Sequence, residues 1–407
     1  MNFKLLVLIL VVLDGLYQMV LNFVTYRSAN NPIPDNLADV YDNEAYTRWR
    51  SYSAKNCKLD ILATLVSFVT SLCLLGFNVY SDFASLFPSG AFMQLLSIVI
   101  LETVVGTVVN LAFRYVHTFK IEEKYGFNRS TMKTFAFDRI RGLVIELLLS
   151  LATTTLLWLL HTAMGDWMIL LFAVAIFALT MLISFFYPLL SRIGNKFTPL
   201  EEGDLKDRLM ELLTKHGYKV KAIEVMDASR RTSKLNAYFT GFGKLKRIVL
   251  FDNLVNSMTP DEICAVFAHE LGHGLNKDVL KGQIASFGNL MIMSLVIWAA
   301  VKEPMIYEQF GFNGVNYGFA YILLSVALSI VQPFISILMN IRSRKAEYRA
   351  DRQAVTEGYG EALITALKKL ARENFAHLSP SRINVVLHYS HPPLCERIAA
   401  IEKNIKK

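Results

Sequence analysis

Residues 259–274 read TPDEICAVFAHELGHG, and the rest of the chain arranges itself around them. Thr259 can cap a helix, Pro260 suits the first turn because it has no N–H to leave unpaired, and Glu262 completes a capping box. Ile263, Val266 and Phe267 add an apolar stripe at helical spacing. On this helix His269, Glu270 and His273 form H-E-x-x-H. Four residues is slightly more than one turn, so both imidazoles project from one face and can share a metal ion. Glu270 falls beside them, within reach of a water at the metal rather than of the metal itself. Gly272 keeps the turn between the histidines slim, and Gly274 relieves the helix after the second one. A pattern this short also arises by chance, so its surroundings decide.

Those surroundings are a membrane protein. Of 407 residues, 53% are hydrophobic and 19% charged, and the mean hydropathy is +0.36; soluble domains carry about 25% charged residues. The apolar excess lies in seven blocks long enough to span a bilayer, near residues 3–26, 59–77, 92–116, 143–164, 167–190, 284–301 and 319–341. The first is longer than a signal-peptide core and lacks a small-residue cleavage site, so it is expected to stay as a helix. A short Gly165–Asp166–Trp167 link makes a tight reversal between the fourth and fifth.

Charge orients the spans. Arg27, Arg48, Arg50, Lys55 and Lys58 crowd the first connection, and Lys120, Lys124, Arg129, Lys133, Arg139 and Arg141 the third. The connections at 78–91 and 165–166 carry no Lys or Arg, and 302–318 only Lys302. The positive-inside rule therefore puts the H-E-x-x-H region and the C-terminus in the cytoplasm. The net charge of +8 reflects these loops, and no nucleic-acid partner is implied. Cys57, Cys73, Cys264 and Cys395 form no CxxC pair and read as reduced structural thiols. Asp14, Glu102 and Glu146 lie inside apolar blocks. They either line a polar cavity or sit near helix ends with basic partners.

The fold class is mainly α, a multi-pass membrane protein carrying a small α+β zinc metalloprotease domain. Residues 1–195 form the membrane domain with its cytoplasmic loops, and residues 196–407 the zinc domain, interrupted by the last two spans. Within the latter, 205–216 reads as an amphipathic helix and 222–226 as a strand. Residues 234–241 and 246–252 read as a hairpin joined through Gly243.

Catalytic zinc sites have three protein ligands and a water. In RKAEYRAD (344–351), Glu347 and Asp351 share one helical face. Glu347 is assigned to the metal and Asp351 to the outward N–H of a ligand histidine. Read alone, this stretch is equally a solvated face of ion pairs. Topology favours the first assignment, because the sixth and seventh spans return Glu347 to the membrane face that carries His269. His391, held by Pro392 and Pro393 in an extended loop, would abolish catalysis as a fourth ligand; as a donor it would stabilise an oxyanion, the preferred role. His117, His161, His216, His377 and His388 read as ordinary surface or helix residues. The implied chemistry is peptide hydrolysis by one Zn2+ ion, with Glu270 as general base. The strand around Asn236 either holds an extended substrate by edge addition or is a plain core hairpin.

Together these motifs resemble the type I CAAX prenyl protease family of integral-membrane zinc metalloproteases. KIEEKYGFNRST, NKFTPLEEGDLK, SKLNAYFTGFGKLKRIVLFDNLV, HELGH, EYRAD and YSHPPLCERI carry the likeness, in that order. The resemblance implies a seven-helix chambered barrel capped by the zinc domain. It implies His269, His273 and Glu347 as ligands, Glu270 as base, His391 as transition-state donor and Asp351 as supporting acid. It also implies Arg397 as a supporting residue and Asn236 as a substrate-backbone contact. The implied substrates are protein or peptide chains with a CAAX box, classically prenylated. The implied setting is the endoplasmic reticulum membrane in eukaryotes or the inner membrane in bacteria. Short outward connections and a C-terminal EKNIKK that is not a KKxx signal incline to a bacterial member. Two other readings compete: a quality-control protease of broad specificity, and a non-catalytic membrane scaffold or transporter with a vestigial zinc.

Overall fold

A computed structural model describes residues 2–240 and 247–407. The chain opens with α1 (Phe3–Ser28), capped by Asn2, whose side chain accepts the Leu5 N–H at 2.9 Å. After α2 (Asn43–Gly76), capped by Asp42, come the short α3 (Val79–Ala84) and α4 (Ala91–Val116). α4 runs on through a π-helical turn, His117–Glu122, into α5 (Glu123–Tyr125), which stops at Gly126 with φ of 84°. α6 (Met132–Met164) and α7 (Met168–Leu190) complete the first membrane unit.

Six helical runs among the described residues are long and apolar enough to cross a membrane. The sequence reading counts seven because the fourth run, Met132–Leu190, contains two apolar blocks. As one rod its 59 residues would measure about 89 Å, close to three bilayer cores. Gly165, with φ of 54°, breaks the run, and α6 and α7 pack against each other.

The spans present apolar side chains outward. On α1, Leu5, Ile9, Leu13, Leu16 and Val20 recur at helical spacing and are exposed, as lipid-facing residues should be, while Val7, Val11 and Gly15 are buried. A Cβ on Gly15 would lie 2.5 Å from the Phe68 ring of α2, so this crossing needs glycine. At one end of the bundle the ring of Phe319 gathers those of Tyr80, Phe310 and Phe312 at 5.4, 5.0 and 4.9 Å, closing it with an aromatic plug. Between α1, α2, α4 and a later span lies a cavity of about 380 Å³, lined by Asp14, Ser67, Glu102, Asn110 and Ser329 among others. Of the two readings open for the intramembrane acids, the cavity reading therefore holds for Asp14 and Glu102; Tyr80 also donates to Glu102. Glu146 is exposed on α6.

Beyond α7 the chain forms β1 (Phe197–Pro199), α8 (Asp204–Lys215), β2 (Ala222–Met226), β3 (Ala237–Thr240) and β4 (Arg247–Phe251). α9 (Asp252–Ser257) then leads into α10 (Pro260–Leu275). The sheet order is β1-β2-β4-β3, with β2 and β4 parallel and the other pairs antiparallel. β2 and the β3–β4 pairing follow expectation, although both hairpin strands are shorter; the joining Gly243 lies outside the described residues. β1 is an addition that the sequence reading lacked. α8 and α10 bury Leu209, Leu213, Ile263 and Phe267 against the sheet with Ile248 and Leu250.

The last membrane hairpin is α11 (Asp278–Val301), α12 (Pro304–Gln309) and α13 (Tyr317–Thr356), followed by α14 (Gly360–Glu373), α15 (Arg382–His388) and α16 (Leu394–Ile405). The connection between the first two spans packs Leu37, Tyr41 and Trp49 onto Ala371, Leu378 and Ile398, tying the two ends of the chain together. All four cysteines are free, as expected.

His377 departs from its reading as a surface residue. Its ring meets Trp49 edge-on at 5.0 Å, its Nδ1 accepts the Ser379 N–H at 3.3 Å and its Nε2 lies 2.9 Å from Ser28 Oγ. Burial pushes its pKa down to about 4. The unfolded chain therefore takes up this proton first, and stability is lost as pH falls from about 6.5 towards 4. Between pH 7 and pH 5 the wild type should lose about 2 kcal/mol more stability than His377→Gln, as read from unfolding in detergent. Parallel pH profiles would show the imidazole to be solvated.

Candidate metal centre

The capping box forms as read: Glu262 N–H donates to Thr259 Oγ1 at 3.3 Å, and Thr259 N–H to Glu262 Oε2 at 2.8 Å. α10 presents His269 and His273 on one face, rings edge to face at 4.9 Å. α13 crosses α10 and brings Glu347 to both. His269 Nε2 lies 3.5 Å from Glu347 Oε2, and His273 Nε2 lies 3.3 Å from Glu347 Oε1. The crossing is close because of Gly272, where a Cβ would stand 2.9 Å from the Ala350 Cα. Gly274 fits under Tyr218, whose hydroxyl would be 2.6 Å from an added Cβ.

These three residues form the one metal-capable cluster found among the described residues, with donor atoms all within 4.8 Å of one another. Donor atoms held tetrahedrally at metal distances of 2.0–2.1 Å are about 3.3 Å apart. The two imidazoles stand 3.3 and 3.5 Å from the two oxygens of one carboxylate, close enough for the three side chains to share a cation after small adjustments. Glu347 is 4% exposed, and its Oε2 has no hydrogen-bond partner. His269 and Arg397 face this oxygen at 3.5 Å, as ion-pair partners just beyond hydrogen-bond reach, which leaves its lone pairs open to a bound cation.

Each imidazole is aimed from behind. His269 Nδ1 lies 2.8 Å from Asp351 Oδ1. Arg397, from α16, holds Asp351 in a two-pronged grip at 3.0 and 2.6 Å, and its Nη1 is 3.5 Å from Glu347 Oε2. His273 Nδ1 lies 3.1 Å from Asp278 Oδ2, and Arg349 holds the other oxygen of that carboxylate at 2.8 Å. Carboxylates placed like this fix the tautomer of a ligating histidine. Asp278 and Arg349 were missed in the sequence. Asp278 sits five residues past His273, at the start of α11 after the left-handed Lys277 (φ 53°), a turn that no local pattern announces.

His391 is exposed on its loop, with Nε2 at 3.3 Å from Glu347 Oε1 and Nδ1 at 3.0 Å from Ser390 Oγ. Pro393 has the expected extended backbone (φ −51°, ψ 142°). Glu270 borders a narrow gap between α10 and β3 that Ala237, Tyr238, Val266 and Phe267 also line. Asn236 is exposed at the start of β3, the edge strand of the sheet. Every sequence-predicted site residue thus lies on α10, on the segments facing it, or on the adjoining sheet edge.

Burial would keep the His273 imidazole neutral, yet Glu347 and Asp278 on its two nitrogens push its pKa up to about 9. Without a metal, a proton supplies the positive charge that the carboxylates demand.

Two family models match the chain. Residues 199–405 match "Peptidase family M48", and residues 22–192 match "CAAX prenyl protease N-terminal, five membrane helices". The CAAX prenyl protease 1 homolog of Oryza sativa is 30% identical, covering 97% of this chain and 96% of that protein. CAAX prenyl protease 1 of Saccharomyces cerevisiae is 30% identical over 94% and 92%. The crystal structure of S. mikatae Ste24p superposes with a TM-score of 0.92 at 28% identity, covering 98% of this chain and 99% of that one.

Removing an orienting carboxylate should weaken metal binding about 10–100-fold. Asp278→Ala should show this in zinc competition against a chromophoric chelator; unchanged affinity would strip Asp278 of the role. Below pH 9 the metal must displace the His273 proton, so apparent affinity should fall about tenfold from pH 8 to pH 7. A flat profile would mean that the imidazole is already neutral.

Proposed function

The chain belongs to peptidase family M48, and from that premise we propose that it is a membrane zinc endopeptidase cutting proteins near a C-terminal CAAX box. The reading rests on one observation above all. Three donor atoms lie within 4.8 Å of one another next to Glu270 of the same helix, in a chain whose residues 22–192 match a membrane domain of the CAAX prenyl protease kind. His269, His273 and Glu347 would hold one zinc ion, which when bound acidifies a water and polarises the substrate carbonyl.

The chain's own groups do the rest. Glu270 takes the water's proton and passes it to the departing amine. His391, exposed beside Glu347, donates to the developing oxyanion. Asp351 and Asp278 keep the two imidazoles presented, and Arg397 holds Asp351 charged and still. Asn236 and the open edge of β3 align the substrate backbone. The basic first and third connections support a site on the cytoplasmic side. A division near residue 195 into membrane and protease parts is supported by matches at 22–192 and 199–405. Embedding in a bilayer suits a substrate that carries its own lipid, so a prenylated protein is the proposed partner.

Glu270→Gln should keep stoichiometric zinc and lose about 10²–10⁴-fold in cleavage rate. The assay is mass spectrometry of products from farnesylated and unprenylated CAAX peptides. Normal turnover in the variant would remove Glu270 as the base. Equal cleavage of both peptides and of casein would favour a broad quality-control protease.

A further inference from the structure

A second cavity of about 380 Å³ opens between α2, α4 and α6. α4 starts near the aromatic plug, where Leu95 and Ile98 meet Gly318, so its last turn lies at the end of the bundle that carries the metal centre. The cavity is at that last turn. Leu59, Ala63 and Phe113 give it apolar walls, while Asp60, Arg114 and Arg139 line it with charge. Its size falls in the range of small-ligand sites, about 300–1,000 Å³.

Those charges have no partners within the protein. Among the described residues, Arg114, Arg139 and Asp60 make no hydrogen bond or ion pair. The Nε of Arg139 is buried without a partner, and its guanidinium stands 5.7 Å from the Phe135 ring. Arg114 and Arg139 are near enough to repel each other. The acids that could relieve them are engaged elsewhere: Asp138 holds Arg231 at 3.1 Å, and Glu122 holds Lys234 at 3.3 Å. His117, also on the wall, faces Glu122 at 3.6 Å. Two like charges side by side, one with an orphaned N–H, are costly unless an anion satisfies both.

Paired guanidiniums offer the forked N–H donors that suit a phosphate. A free carboxylate in the same cavity suits an ammonium group. The surroundings indicate where such a ligand comes from. Leu62 on α2, Val108 and Leu111 on α4, and Ile140 and Val144 on α6 are exposed apolar side chains of the lipid-facing surface. Basic pockets between spans, at the charged end of a membrane bundle, are where lipid headgroups bind. We propose that this cavity is an aminophospholipid headgroup site. Arg114 and Arg139 hold the phosphate, Asp60 holds the primary ammonium, and the acyl chains lie along the apolar surface of the same three helices. The site is separate from the metal centre and does not depend on the protease reading.

The test is native mass spectrometry of the full chain, delipidated in detergent. It is offered an equimolar mixture of phosphatidylethanolamine, phosphatidylglycerol and phosphatidylcholine with identical acyl chains. The wild type should retain one phosphatidylethanolamine about tenfold over either of the others. Asp60→Asn should erase that preference while one phospholipid stays bound. Arg114→Gln and Arg139→Gln together should cut retention of all three lipids about tenfold. The lipids compete for the same folded molecules, so their ratios are independent of how much protein folds. Equal retention of the three by the wild type, or an unchanged preference in Asp60→Asn, would overturn the proposal. So would a double arginine variant that retains lipid as the wild type does. Displacement of bound lipid by free phosphoethanolamine as readily as by phosphatidylethanolamine would assign the cavity to a soluble phosphate ester and overturn the lipid.

Discussion

The Glu347 carboxylate meets two imidazoles carried by a different helix, and the rest of the architecture serves that meeting. A buried carboxylate is tolerated only with partners that satisfy its charge. Here His269, His273, His391 and Arg397 all approach it within 3.5 Å. The approach depends on how closely α10 and α13 cross, and that depends on a missing side chain at Gly272. Asp351, one turn beyond Glu347, uses the same crossing to brace His269. Contact and bracing are thus set by a single helix–helix distance.

The membrane supplies the other half of the constraint. α10 ends at Leu275 and α11 begins at Asp278, so the histidine helix is tied directly to a span. α13 returns as one helix from the aromatic plug to the site. The sheet domain leans on this pair from one side. The basic connection between α4 and α6 reaches it from the other: Asn128 and Thr232 form a bridge, and the Ser233 N–H bonds the Phe127 carbonyl, just upstream of the edge strand. A loop in the membrane half therefore steadies the strand beside the site.

What could be read from the sequence was what depends on near neighbours. The Thr259–Glu262 capping box, the shared face of His269 and His273 and the pairing of Glu347 with Asp351 all follow from helical periodicity, and all appear. The apolar blocks were legible for the same reason. The parts that escaped are meetings between distant segments. Asp278 braces His273 only because Lys277 turns left-handed, Asn374 finds Leu235 across 139 residues, and His377 is half-buried against Trp49 and Ser28 from the far end of the chain. β1 escaped because three residues carry too little pattern. The count of spans differed where one glycine decides whether a helical run continues or folds back.

One feature of α13 reaches beyond the protein. It is a 40-residue rod, roughly 60 Å long, with Pro333 inside it as a single point of weakness. One end is locked among aromatic rings and the other carries Glu347. Mismatch between such a rod and its lipid is absorbed by tilt, by a kink or by local deformation of the bilayer, at fractions of a kcal/mol per ångström. The helix that crosses the bilayer is thus also the helix that sets the angle at which a carboxylate is offered to two imidazoles, with no joint between the two tasks except Pro333.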